Sequence, residues 1–365
     1  MTLVEFVPPT PHPLWKLCPQ MGITDVVVKV NSDLTGLPDP WRYETLAKIA
    51  GRLKDAGLNV VGLEGDPFDM SPIKEFVGKG LGNNINNDEN NLETDGGQLP
   101  ADSENRAQLR TEENGSCSLS CLSCFQKREE ALAYYRELLE SMGKLGIKLL
   151  CYNFMVGKGW SRTGVREVRG GAKATYFSTR STRSTRLILS HDQVWANYED
   201  FIKAVMPTAE KCGVRMALHP DDPCLPSLGG YARIFGSVEA YDRAYALYPS
   251  PSNAITFCQA NFKLMGVDLE SVARHFGKRI AFIHVRDVEG TKEDFTELFH
   301  DQGDTDQFAL MRTYRELGLD VPLRGDHVPE MAYDRELTPE GTPGYFTLGR
   351  LFANGYLKAL LNDAK

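Results

Sequence analysis

No stretch of this sequence approaches the roughly 20 consecutive apolar residues that cross a bilayer, and no basic segment near the N-terminus runs into an apolar run of signal-peptide length. Neither a membrane span nor a secretory leader is expected, and the expected location is the cytoplasm. Positive charge is also short. Forty-one Lys and Arg face 49 Asp and Glu for a net charge of −8, with no basic stripe interleaved with aromatics. Such a surface repels phosphate backbones, so nucleic acid is not expected as a partner. Cysteine is sparse: eight in 365 residues, several inside apparent strands and helices, which suits reduced thiols better than a disulfide framework. No G-x-G-x-x-G or P-loop follows an early strand, which argues against a dinucleotide-binding or nucleotide-hydrolysing sheet.

What is present is a hydrophobic content of 42% with 25% charged residues, enough to bury one large core. Strand and helix patterns alternate along the chain. Val4–Val7 reads as a short first strand and His12–Met21 as a brief helix. The run D-V-V-V-K-V from Asp25 precedes a helical pattern over Trp41–Gly57, and Leu58–Gly65 precedes another over Arg128–Gly146. Ile147–Phe154, Val214–Pro220, Ala254–Asn261, Ile280–Asp287 and Val321–His327 continue the strands. The helical patterns Asp192–Gly213, Val238–Tyr248, Leu269–Phe276, Gln307–Gly318 and Thr347–Leu361 lie between and after them. Eight near-continuous apolar strands alternating with helices predict a parallel sheet closed into a single (β/α)8 barrel, the TIM-barrel class, over residues 1–365; an open doubly wound sheet is the alternative.

Two segments depart from that pattern. Residues 78–126 are rich in Asn, Asp, Glu, Gly and Ser, with too little apolar content to offset the entropy of ordering them, and read as a disordered insertion. Within it Cys117, Cys121 and Cys124 have a C-x3-C-x2-C spacing seen in some iron–sulfur proteins, but the polar, serine-rich setting argues against a shielded cluster. Ser178–Arg186 is three tandem copies of S-T-R and reads as a solvated loop.

The candidate chemistry lies at strand ends. His219, in A-L-H-P-D-D-P, together with Cys258, His284 and Asp326, each falls near the C-terminal end of an expected strand, and a parallel barrel gathers such ends around one mouth. Alone, a strand histidine is more often structural and a strand cysteine a small core residue. Together, two imidazoles, a thiolate and a carboxylate suit Mn²⁺, Fe²⁺ or Zn²⁺. Arg286, two residues past His284, is a candidate for a substrate carboxylate, with a salt bridge as the alternative; Asn153, Trp160 and Arg162 are candidates for hydroxyl contacts and a lid. Asp221 and Asp222 either support ligating histidines or shape a turn.

The stretches L-C-Y-N-F (Leu150–Phe154), A-L-H-P-D-D-P (Ala217–Pro223), T-F-C-Q (Thr256–Gln259), F-I-H-V-R-D-V (Phe282–Val288), R-G-D-H (Arg324–His327) and P-G-Y (Pro343–Tyr345) occur in order. Together they resemble the motifs of the mannonate dehydratases, a family of xylose-isomerase-like barrels. The resemblance runs from about Asn59 onward, outside the insertion; the first 21 residues and the loop after Phe154 depart from it. It implies dehydration of D-mannonate to 2-keto-3-deoxy-D-gluconate in glucuronate (hexuronate) catabolism, with Mn²⁺ or Fe²⁺. It also implies His219, Cys258, His284 and Asp326 as metal ligands, and His327 and Tyr345 as catalytic groups. The expected partner is a small sugar acid, and a homo-oligomer is compatible with the sequence. The competing expectations are an isomerase or epimerase of the same barrel type, and a non-catalytic binding relative.

Overall fold

The computed structural model describes residues 1–30, 36–77, 119–182 and 186–363. In chain order its strands are β1 (Thr2–Leu3), β2 (Glu5–Val7), β3 (Asp25–Val28), β4 (Asn59–Glu64), β5 (Leu149–Tyr152), β6 (Gly164–Glu167), β7 (Lys173–Ser178), β8 (Arg215–Leu218), β9 (Ser227–Leu228), β10 (Tyr231–Ala232), β11 (Asn253–Cys258), β12 (Ile280–Val285), β13 (Val288–Thr291), β14 (Asp294–Glu297) and β15 (Pro322–Gly325). One sheet runs β1-β15-β12-β11-β8-β5-β4-β3-β2, every pairing parallel.

Its two edges are halves of a single extended segment. β1 pairs with β15, β2 pairs with β3, and between them the Val4 amide donates to the Leu323 carbonyl at 2.9 Å. The segment therefore counts as one strand and the sheet closes, giving the eight-stranded barrel that the alternation predicts. The long helices Tyr43–Asp55, Leu119–Leu145, His191–Cys212 and Thr347–Asp363 belong to the set that connects and covers the strands. Local signals place them. Ser190 caps His191–Cys212 through a capping box with Gln193, and Gly213 ends that helix at φ 61°, a conformation that costs glycine little.

The interior has two layers. Apolar residues between strands and helices, from Val26 and Leu63 to Phe257 and Tyr314, form the larger core. A smaller cluster, formed by Val4, Val27, Leu149, Cys151, Ala217, Ala254, Ala281 and Phe282 from the barrel strands, packs separately from it.

Three sequence expectations change. The helix expected from Arg128 begins at Leu119, so the last residues of the expected 78–126 insertion are helical; residues 78–118, with Cys117, lie outside the described residues. The strand expected to reach Asn261 stops at Cys258, where the helix Gln259–Leu264 begins. Asn261 holds this corner by donating from Nδ2 to the Asp221 carbonyl and accepting from the Cys258 thiol at 2.8 Å. The S-T-R segment is not all loop: Ser178 is buried at the end of β7 and donates to Asp294 Oδ2 at 3.0 Å, while residues 183–185 lie outside the described ones.

The four-stranded antiparallel sheet β13-β14-β7-β6 carries no counterpart in the sequence reading. It grows from the segments after β5 and β12, and Lys173 bridges to Glu330 beyond β15.

Candidate active site and metal centre

Register brings the site together. Cys258 on β11 pairs with His284 on β12, His284 pairs with Arg324 on β15, and the Asp326 amide continues that ladder to the Val285 carbonyl. The His219 amide extends the β5–β8 pairing to the Tyr152 carbonyl at 2.7 Å. Four expected ligands therefore stand at one level. One donor atom from each of His219, Cys258, His284 and Asp326 lies within 4.8 Å of the others. His219, His284 and Asp326 face a cavity of about 470 Å³ that also meets Glu64, Asn153, Trp160, His327 and Tyr345, with Cys258 buried beside them.

The donor chemistry fits a divalent cation. His284 is 1% exposed, yet both ring nitrogens lack a hydrogen-bond partner among the described residues. Its nearest charges are Glu64 Oε2 and Asp326 Oδ2, each at 3.7 Å. Leaving a buried polar group unpaired costs about 1–3 kcal/mol, so the ring points to a bound partner, and in its neutral form the nitrogen without a proton offers a lone pair to a cation. The His219 Nδ1–H donates to the Pro220 carbonyl at 2.8 Å, which leaves Nε2 as a free lone pair. Burial, then the neighbouring His284, lowers the His219 pKa to about 4, so the ring is neutral as ligation requires. Burial pushes the Cys258 thiol up to about 12 despite Arg286 nearby, so a cation binding there has to displace a proton. Burial would raise the Asp326 carboxyl, but His327, Arg324, His284 and Arg286 hold it well below the usual range.

A second layer of charge surrounds these groups. Arg324 grips Glu64 through two contacts of 3.1 and 2.6 Å and reaches Asp326 Oδ1 at 3.0 Å. Deeper, two buried arginines and two buried carboxylates alternate. Arg162 meets both oxygens of Asp222 at 2.7 and 3.0 Å, and Arg286 meets both oxygens of Glu297 at 2.7 and 2.6 Å. Arg286 also reaches Asp222 at 2.7 Å, and Arg162 reaches Glu297 at 2.5 Å. Burial opposes the charge on Glu297, yet Arg286 and Arg162 bring its pKa down to about 2.

Among the expected substrate contacts, the wall of the cavity carries Asn153 and Trp160, the latter with its ring 5.0 Å from that of His327. Asn153 Oδ1 accepts from Lys74 Nζ at 3.2 Å and from the Met155 amide at 3.0 Å. Arg162 and Arg286 instead sit behind the wall with their guanidinium groups committed to Asp222 and Glu297. Of the proline-flanked pair, Asp221 shapes the loop by accepting from the Phe235 amide at 2.7 Å, and Asp222 belongs to the charge network. His327 and Tyr345 meet: His327 Nε2 lies 2.9 Å from the Tyr345 hydroxyl. Burial and Asp326 raise the Tyr345 pKa well above its ordinary value, so the phenol keeps its proton.

Sequence reasoning passed over Glu64, Arg324 and Glu297. Glu64 ends a strand by the same logic as Cys258, and Arg324 stands inside a quoted motif, so both were within reach of the strand-end argument. Glu297 ends the short strand β14, in a polar stretch whose pairing only the structure reveals.

A closed parallel barrel that gathers imidazole, thiol and carboxylate groups at its mouth defines a TIM-barrel protein with a candidate metal site there. The fold is shared with an L-ribulose 3-epimerase (TM-score 0.54, 10% identity, covering 100% of this chain and 96% of that one). The family model of D-mannonate dehydratase (UxuA) matches residues 121–190 and 184–365, and the chain belongs to that family. The mannonate dehydratase of Streptococcus equi subsp. zooepidemicus is 31% identical over 271 residues, covering 65% of this chain and 74% of the relative. That of Brachyspira hyodysenteriae is 30% identical over 274 residues, covering 64% and 75%. The crystal structure of mannonate dehydratase from Streptococcus suis serotype 2 superposes with a TM-score of 0.77 at 23% identity, covering 100% of this chain and 93% of that one, which speaks to the fold.

Proposed function

We propose that the chain is a metal-dependent hydro-lyase that converts D-mannonate to 2-keto-3-deoxy-D-gluconate and water. The observation that carries this reading is the convergence of four donors, one of them an unpaired buried His284, beside the His327–Tyr345 pair. His219, Cys258, His284 and Asp326 hold the ion, with Mn²⁺ or Fe²⁺ as the assignment. When bound, the cation supplies positive charge against the carboxylate and the electron density that moves onto it as the C2 proton leaves.

The protein's own groups handle the protons. Dehydration removes hydrogen from C2 and hydroxide from C3, so it needs one acceptor and one donor on a substrate that fills the cavity. His327 is assigned to take up the C2 proton at Nε2, the ring atom that faces Tyr345, and then, as the acid, to deliver it to the departing C3 hydroxyl, which leaves as water. Tyr345, kept protonated, orients the hydroxyls and relays a proton to or from His327. Trp160 covers the pair with its ring and limits water. Arg286, expected as a carboxylate clamp, is assigned instead to positioning, because its donors are already engaged by Glu297, Asp222 and Asn261.

In this reading the protein is one barrel domain with residues 78–118 as an insertion, and it acts on a small sugar acid in cytoplasmic glucuronate breakdown. Among the described residues no helix is long and apolar enough to cross a membrane. The test is incubation of metal-reconstituted protein with D-mannonate, following the 2-keto-3-deoxy acid. Product with Mn²⁺ or Fe²⁺ is expected. Its absence, alongside turnover of a ketose or aldose, would transfer the protein to the isomerase and epimerase reading.

A further inference from the structure

The His327 ring has two nitrogens and two different neighbours. Nε2 faces the Tyr345 hydroxyl at 2.9 Å, and Nδ1 faces Glu297 Oε1 at 3.1 Å. Glu297 is fully buried, and both of its oxygens are gripped by Arg286. A carboxylate held this way only accepts hydrogen bonds, so the proton between it and the ring belongs to Nδ1. The other candidate at Nδ1 is Arg162, whose Nη2 stands 3.4 Å away and would require Nδ1 to accept. That nitrogen carries two hydrogens, and shorter contacts take both, to Glu297 Oε1 at 2.5 Å and Asp222 Oδ2 at 3.0 Å.

We infer that Glu297 is a positioning residue for the acid/base step: it fixes the Nδ1–H form of His327, so that Nε2 is the ring atom that exchanges protons with Tyr345 and the substrate. The inference rests on the dehydratase reading for its kinetic part and on geometry alone for the rest. The logic is that of a buried acid behind a catalytic imidazole, which sets tautomer and orientation without itself taking the proton. Arg286 and Arg162 serve it in turn, because a carboxylate paired with two guanidinium groups competes poorly for a proton. It also explains why two arginines and two carboxylates are buried at a sugar-acid site with none of the four needed as a metal ligand. Glu297 comes from β14, in the antiparallel sheet, so the acid/base pair is aligned by an element outside the barrel.

The experiment combines kinetics with a direct view of the ring. In protein labelled with ¹⁵N-histidine and loaded with Zn²⁺, long-range ¹H–¹⁵N correlations distinguish a protonated from a bare ring nitrogen, and comparison with His327→Asn assigns the signals. Wild type is expected to show His327 protonated at Nδ1, and Glu297→Gln, whose amide can donate to that atom, to move the proton to Nε2. With Mn²⁺ and D-mannonate, Glu297→Gln should lose about 10²–10⁴-fold in kcat, with KM within about threefold and metal content unchanged. Glu297→Asp, which restores the charge, should recover at least about tenfold of the loss. A bare Nδ1 in the wild type overturns the inference, as does a Glu297→Gln variant with undiminished kcat or an Asp variant no better than Gln. If Glu297→Gln fails to fold with Arg162 and Arg286 unpaired, the wild-type spectrum decides alone. Should wild type not turn over D-mannonate, the dehydratase reading fails while the spectrum still decides the tautomer.

Discussion

At the scale of single residues, His284 carries the most information. A buried imidazole with neither nitrogen hydrogen-bonded among the described residues carries a cost that binding a partner removes. Mn²⁺ added to chelator-treated protein should therefore raise the melting temperature. The gain is about 4 kcal/mol when free metal is a thousandfold above its dissociation constant. His284→Ala should abolish the shift, as read by thermal melts with and without metal; an undiminished shift in that variant would move the ion elsewhere. His219, Cys258, His284 and Asp326 were legible in the sequence because a parallel barrel puts consecutive strand ends at one level, so four separate strand-end residues describe one point. The same logic leaves Arg286 between a substrate contact and a salt bridge, and the structure shows ion pairs to Asp222 and Glu297. Its position two residues past His284 puts it beside the site, but which partners its guanidinium finds depends on Asp222 and Glu297, brought in by segments whose approach no periodicity encodes.

Among the elements, the antiparallel sheet is the one with a function still to be tested. Its β13–β14 hairpin has Gly290 at φ 114°, and a Cβ there would lie 2.2 Å from the Asp294 carbonyl oxygen. Only glycine fits such a backbone at so close an approach. Gly290→Ala should weaken the hairpin by about 1–3 kcal/mol and speed amide exchange in β13 and β14, with the barrel strands unchanged. Because Glu297 ends β14, kcat should fall with it. Exchange accelerated equally in β11 and β12 would show that the sheet and barrel open as one unit. The barrel strands were readable as runs of β-branched and apolar residues, with β11 and β12 buried along their whole length. The antiparallel sheet was not, because strands such as Gly164–Glu167 are short and largely exposed, and its two hairpins are joined only by the β7–β14 pairing, whose partners lie far apart in the chain.

For the whole molecule, the buried charges predict how stability responds to acid. Burial disfavours the Glu64 carboxylate, but Arg324 and His284 more than offset it and lower its pKa from 4.5 to about 2; Glu297 is lowered to about 2 by its arginines against the same penalty. A carboxyl with a depressed folded-state pKa adds stability that is complete above its unfolded value and disappears as pH falls through the folded one. Each shift corresponds to on the order of 3 kcal/mol, lost between about pH 4.5 and 2. His12 acts in the same sense at higher pH: burial, then Arg350, lowers it from 6.5 to about 4, so between those values the unfolded chain binds the extra proton. Urea unfolding of the metal-free protein should show a decline that sets in below about pH 6.5, where His12 and His219 bind protons in the unfolded chain, and that continues below about pH 4.5 as the carboxylates follow. A midpoint constant from pH 7 to 3 would contradict this account.

The segment Thr2–Val7 joins both edges of the sheet, and that has a consequence on the ribosome. β2 finds β3 within a few dozen residues, but the partner of β1 is β15, which begins at Pro322. At about 5–20 residues per second, roughly half a minute of synthesis separates the two. Throughout that interval the nascent sheet presents an open edge, the feature that most invites pairing with other chains. Protection from association therefore waits on the synthesis of β15, when Leu323 can accept the hydrogen bond that Val4 donates.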